Sequence, residues 1–145
     1  MPSGAVVIGD AVGTANIGTN AAVATSYDDA MGNHSATDGD TIRCSGERIG
    51  LLGIVSPELA GHCPKGRVCA PGNPHRASAS LRAALVGQLR VTGFGTDRYG
   101  RTLAVVSGDN GDLSCWQLRQ GRAIYKAACD KGHRIAATCP DAITR

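Results

Sequence analysis

An α+β fold dominated by strands, closed as a small barrel of the OB type with two or three helices packed on it, is what this sequence predicts. Three observations carry that expectation. Short strand-like runs fill the middle of the chain, separated by turn residues. One helical stretch with an apolar stripe interrupts them. The resulting order of hairpin, helix, hairpin, helix and short strand suits one closed sheet with helices against it.

Residues 1–36 are rich in Ala, Gly, Thr and Asn. Their only strand-like piece is Ala5-Val6-Val7-Ile8, so this part reads as a weakly ordered arm or an extra strand. Regular structure begins with the strand Thr41-Ile42-Arg43-Cys44. The turn signal Ser45-Gly46 leads to a second strand over residues 47–55, which Pro57 ends because it cannot donate to a ladder. Residues 60–74 hold three Pro and three Gly and read as a loop. Asn73 as N-cap and Pro74 at the first helical position start a helix over 75–86, with Ala77, Leu81, Ala84 and Leu85 as its apolar stripe and Gly87 as its stop. A strand over 89–94, the turn Asp97-Arg98-Tyr99-Gly100 and a strand over 101–106 form a second hairpin. After the turn Asp109-Asn110-Gly111, Asp112 caps a helix over 113–120, stopped by Gly121. A short strand covers 123–125. Residues 127–145 read as an irregular or briefly helical tail.

The 145 residues fit one domain and suffice to bury a core. Aromatic residues are few (Tyr27, Phe94, Tyr99, Trp116 and Tyr125), so the core is expected to be aliphatic, with Trp116 inside it. The net charge of +3 conceals an asymmetry. Residues 1–42 hold five Asp and no Lys or Arg, while residues 43–145 hold all fifteen basic residues, twelve of them Arg, against seven acids. An Arg-rich body suits an anionic partner, or is simply a solvated basic surface. No run of eighteen apolar residues exists, so no membrane span is expected.

Six Cys are present. The even count points to disulfides and an oxidising compartment, secreted or periplasmic. The first thirteen residues, however, lack the basic region of a signal peptide. Either an export signal lies outside this sequence or the cysteines are reduced. Cys63 and Cys69 are spaced to close a small disulfide loop. Zinc held by these two with His62 and His75 is disfavoured, because five residues between the Cys falls outside usual ligand spacing.

Three short motifs can carry chemistry. Asp38-Gly39-Asp40-Thr41 places two acids around a Gly at the start of a strand, either a plain turn or oxygen ligands for a hard cation. Glu58, following a Pro-terminated strand, is a candidate general base or an exposed acid. Arg101 follows the tight turn Asp97-Arg98-Tyr99-Gly100, where its fork can meet a phosphate or face solvent.

Taken together and in this order, these motifs resemble the thermonuclease family, the staphylococcal-nuclease-like proteins. Asp38-Gly39-Asp40-Thr41, then Leu51-Leu52-Gly53-Ile54 leading to Pro57-Glu58, then Asp97-Arg98-Tyr99-Gly100-Arg101 carry the likeness, which extends through Gly121 to Lys126 and spans about residues 37–126. The resemblance implies a five-stranded OB barrel with two or three helices, acting as a calcium-dependent nuclease on DNA or RNA, with single-stranded nucleic acid as partner and a monomeric chain. It implies that Asp40 and the backbone carbonyl of Ser56 bind calcium, Glu58 activates water and Arg101 stabilises the transition state. It further places Tyr99 near the bound phosphate and Tyr125 against a base.

Two positions depart from that pattern. Gly50 stands where a second phosphate-binding Arg is expected, and Val55 where a second calcium-binding Asp is expected. Loss of a preorganised transition-state donor costs on the order of 10²–10³ in rate, and calcium affinity follows the count of charged ligands. Arg48, on the same strand face as position 50, and Asp38, beside Asp40, are the candidate substitutes. Three expectations follow: a weakened phosphodiesterase, an inactive OB module binding single-stranded nucleic acid through its Arg-rich face, or an interaction domain with a vestigial cleft.

Overall fold

The computed structural model describes residues 26–27, 34–59, 61–63, 65 and 69–144. The Ala5–Ile8 piece and most of the acidic arm lie outside these residues. Within them the chain forms β1 (Ser26–Tyr27), β2 (His34–Asp38), β3 (Thr41–Cys44), β4 (Glu47–Leu51) and β5 (Ile54–Val55). There follow α1 (Pro74–Ala84), β6 (Arg90–Thr96), β7 (Thr102–Gly108), β8 (Gly111–Asp112), α2 (Leu113–Arg119) and β9 (Ile124–Tyr125). Two single 3₁₀ turns, Ala127–Cys129 and Lys131–His133, lead into α3 (Arg134–Thr138) and α4 (Pro140–Ile143).

The fold is α+β with strands predominating. The main sheet runs β1-β6-β7-β4-β3-β2, with β8 on β7, and β9 pairs separately with β5. All pairings are antiparallel except β4 with β7. Among the described residues this path is open, ending at β1 and β2.

Local chemistry accounts for most boundaries. Ser45 and Gly46 both take positive φ (50° and 84°), the turn whose twist suits a two-residue hairpin. The expected long strand over 47–55 is instead two strands, broken where Gly53 turns with φ +79°. The Gly53 amide then donates to the Cys129 carbonyl and its own carbonyl accepts from the Lys126 amide. The Asn73 side chain caps α1 by accepting from the amides of His75 and Arg76, and Asp112 caps α2 through the Cys115 amide. α1 ends at Ala84, two residues before the expected last helical residue, Val86. β2 begins inside the segment expected to be a weakly ordered arm; it is an edge strand paired to β3.

The core is aliphatic, as expected. Ile42, Ile49, Leu51, Leu81, Leu113 and Ile135 are each at most 2% exposed. Residues beyond 126 join it: Ile135, Cys139 and Ala142 are buried, and a Cys115–Cys139 disulfide ties them to α2. The buried Asp130 carboxylate accepts from the Ile135 and Ala136 amides and from the Tyr125 hydroxyl, so a buried charge is met by donors. A second disulfide joins Cys63 and Cys69. Among the described residues no helix is long and apolar enough to cross a membrane.

One close approach sets the position of the acidic turn. A Cβ on Gly39 would stand 2.6 Å from the Ala77 Cβ on α1 and 2.7 Å from the Ser56 Cβ. Gln117, wholly buried on α2, holds this contact: its Nε2 donates to the Gly39 and Ala77 carbonyls at 2.7 and 2.9 Å. Its Oε1 accepts from the Ser80 hydroxyl. Gly39→Ala is expected to destabilise the fold by about 1–3 kcal/mol, the usual cost of overpacking, measured as a lower midpoint in urea. An unchanged midpoint would mean that α1 moves away freely.

Candidate active-site cleft

A cavity of about 450 Å³ opens between the acidic turn, the segment after β5 and one face of α1. Asp38, Asp40, Ser56 and Glu58 line one side. His75, Ser78 and Arg82 of α1 line the other, and His62 reaches in from the loop. Four of the residues expected at the site therefore meet here. Glu58 is exposed, as a base that must reach water requires.

Asp40 sits at the floor of this arrangement, with its side chain 14% exposed. One carboxylate oxygen accepts from the Ser56 amide at 3.1 Å, and the other from the Thr41 hydroxyl at 3.1 Å. Asp38 accepts from the Asp40 amide at 3.1 Å, which folds the turn on itself. Burial, and then the neighbouring Asp38, push the Asp40 carboxyl up to about 7, against the pull of Arg101 and the Ser56 amide.

Arg101 does not line the cavity; it lies on the other side of Asp40. Asp97 places it, accepting from the Arg101 amide at 3.0 Å and from its Nε at 2.8 Å. Burial alone would raise the Asp97 carboxyl, but these bonds and one from the Tyr99 amide hold it below the ordinary aspartate value. The Arg101 Nη1 donates to the Thr41 hydroxyl at 2.8 Å and lies 3.4 Å from Asp40. Its Nη2 has no partner among the described residues. The guanidinium rests on the strand at Gly50, where a Cβ would stand 2.8 Å from its Cζ. The space above position 50, where the resemblance to the thermonuclease pattern leads to the expectation of a second arginine, is thus occupied by Arg101.

The remaining expected residues stand apart from the cleft lining. Arg48 donates to the Tyr99 carbonyl, which keeps it on the β6–β7 turn and away from the space above Gly50. Tyr99 is 52% exposed, with the Arg98 guanidinium 5.3 Å from its ring centre. The Tyr125 hydroxyl donates to Asp130 at 2.7 Å; that bond, then burial, pushes it up to about 12. Tyr125 therefore braces the C-terminal segment. Val55 pairs with Ile124 and brings no oxygen donor to the site.

The donor set is a depleted one for a calcium ion as it is arranged. Among the described residues no group of three or more His, Cys, Asp or Glu converges to hold a metal. Asp40, the expected first ligand, already accepts from an amide and a hydroxyl and has a guanidinium beside it. Hard cations need several oxygens with free lone pairs.

Gln117, Ser78 and Arg82 belong to no motif legible in the sequence, Gly39 reads there only as the turn between two acids, and His62 and His75 read only as zinc ligands. The signal for the helical group was present: positions 75, 78 and 82 fall on one helical stripe.

No family model matches the chain. It is 33% identical over 109 residues to a protein from Rhizobium meliloti (strain 1021), the "Succinoglycan biosynthesis protein ExoI". The match takes in 70% of this chain and 55% of that protein, so the chain spans about half the length of the curated relative it resembles.

Gly50→Ala is expected to push the Arg101 guanidinium off Thr41 and Asp40. The expected loss is about 1–3 kcal/mol, the scale of hydrogen bonds to charged groups. A double-mutant cycle in urea with Arg101→Gln tests it. Most of the cost should vanish in the Arg101→Gln background; full additivity would show that the two residues do not meet.

Asp40 also makes stability depend on pH. Its folded value, about 7, lies above the 3.8 of a free aspartate, so the folded state holds the proton more tightly. Stability is expected to fall as pH rises from 3.8 to about 7. Asp40→Asn should flatten that slope when denaturation is compared across the interval between the two values. An equally steep slope in the variant would assign it to another group.

Proposed function

We propose that this chain is a thermonuclease-like phosphodiesterase of reduced activity, acting on single-stranded DNA or RNA from an OB-type barrel. The observation that carries this reading is the meeting of Asp38, Asp40, Ser56 and Glu58 in one cavity, with Arg101 against the back of Asp40. The meander β2-β3-β4 followed by the parallel pairing of β4 with β7 supports the barrel reading. The name of the Rhizobium relative states a pathway role and no chemical step.

In this reading Glu58 takes the proton of the attacking water, as an exposed carboxylate on the cleft wall can do. Arg101, gripped by Asp97 and Thr41 beside the cleft and not within its lining, keeps Nη2 for an oxygen of a phosphate that extends past Asp40, a preorganised donor of the kind that stabilises developing charge. Calcium, where bound, supplies Lewis-acid stabilisation of that charge. Val55 withholds one carboxylate from such a site, and Gly50 withholds the second guanidinium. Both losses lower the rate.

A second reading, a module that binds single-stranded nucleic acid without cutting it, is favoured by the contacts that already engage both Asp40 and Arg101. The two are separated by a nuclease assay on denatured DNA with calcium and with chelator. Weak calcium-dependent cleavage is expected from the wild type, and a gain of about tenfold or more from Gly50→Arg with Val55→Asp, since each restores a group of the kind that stabilises charge in the transition state. The two substitutions are made together because each supplies one of the two missing groups; the side chain at position 50 also lifts the Arg101 guanidinium off Asp40 and Thr41, while Asp97 still anchors it. Cleavage that survives chelator removes calcium from the reading. Absence of cleavage in both proteins, with oligonucleotide binding that weakens steeply with salt, establishes the binding module.

A further inference from the structure

The cavity has a second wall that neither the expected catalytic residues nor the comparison with a known protein explains. His75, Ser78 and Arg82 lie at i, i+3 and i+7 on α1 and face the cleft together. Arg82 is exposed, and its guanidinium makes no ion pair among the described residues, although Asp38, Asp40 and Glu58 line the same cavity. The His75 imidazole also has no partner among them. By contrast, Arg101 is engaged on the far side of Asp40, and Arg48 is held on the β6–β7 turn. Among the described lining residues, Arg82 is the only guanidinium inside the cleft.

We propose that Arg82, with His75 at the other end of the stripe, is the phosphate clamp of this cleft, gripping the backbone of a single-stranded nucleic acid from the α1 side. The proposal rests on the reading of the cleft as a nucleic-acid site. Three features carry it. A guanidinium presents paired donors that match two phosphate oxygens. The carboxylates on the opposite wall repel the strand toward α1, so the two walls together fix its path. The stripe from 75 to 82 spans roughly 10 Å at the rise of a helix, longer than one phosphate group, which suits a polymer better than a single ion. The clamp lost at Gly50 thus has a counterpart on a different element.

The test uses the full chain and a labelled, mixed-sequence single-stranded DNA oligonucleotide, followed by fluorescence anisotropy across a salt series. Arg82→Gln is expected to weaken binding about tenfold or more and to reduce the salt slope by about 0.7, the share of one phosphate contact on a single strand. Arg82→Lys is expected to recover part of the affinity, because it restores the charge without the fork. Arg76→Gln, on the same helix but outside the cavity lining, serves as control and is expected to stay within about twofold, as a solvated charge away from the strand should. Arg82 is exposed and makes no ion pair among the described residues, so its variants should fold as the wild type does. If Arg82→Gln and Arg76→Gln bind alike while the wild type binds, Arg82 is a solvated residue in the last turn of its helix and the clamp is overturned. If the wild type shows no binding at low salt, the nucleic-acid reading itself fails, and the clamp with it.

Discussion

The backbone at Gly39 passes α1 so closely that only a residue without a side chain fits between Ala77 and Ser56. Gln117 fixes that approach from below, donating to a carbonyl on each side of the gap. Everything in the cleft is referred to this contact. It places Asp38 and Asp40 opposite the polar face of α1, and it brings Ser56 near enough for its amide to bond Asp40. A buried amide with all its polar atoms satisfied is costly to replace, and here the cost of loss is positional as well. Without Gln117 the two walls of the cavity have no shared support in the helical layer.

Arg101 is the second organising residue, with a structural role beside the one expected of it. It reads as a phosphate ligand, yet four hydrogen bonds or ion-pair contacts to Asp97, Thr41 and Asp40 hold it in a half-buried position. These contacts tie the β6–β7 turn to the start of β3, across the sheet. The absence of a side chain at Gly50 is what permits the guanidinium to lie there. The two departures from the thermonuclease pattern that the sequence resembles are therefore unlike in physical effect. Val55 removes an oxygen from a possible cation site, whereas Gly50 gives a remaining arginine a resting place.

Much of the fold was legible because it is written in local rules. Ser45-Gly46, Asn73-Pro74 and Asp112 mark a turn and two helix starts through backbone preference and local side-chain capping, and each holds in the structure. The expectation failed where long-range pairing decides. β2 has the polar sequence His-Ser-Ala-Thr-Asp, without a hydrophobic alternation, and is a strand because β3 offers it an edge. The break at Gly53 is fixed by hydrogen bonds to residues 126 and 129, far along the chain. At the site, the motif acids and Glu58 were identifiable from their neighbours in sequence. Arg82 and His75 were not, because a polar stripe on a helix ordinarily faces solvent, and only the packing of α1 against the acidic turn makes it one wall of a cavity.

The Cys115–Cys139 disulfide closes a covalent ring around the part of the chain that holds β9, both 3₁₀ turns and α3. Arg119, Lys126, Lys131 and Arg134 are exposed on that ring, the side chains that trypsin-like proteases seek. A single cut there severs the backbone without releasing a fragment: the two pieces remain one molecule, still pinned at Asp130 and in the core. The ring makes the C-terminal segment tolerant of nicking for as long as its surroundings stay oxidising, and makes that tolerance reversible by any reductant able to reach the bond.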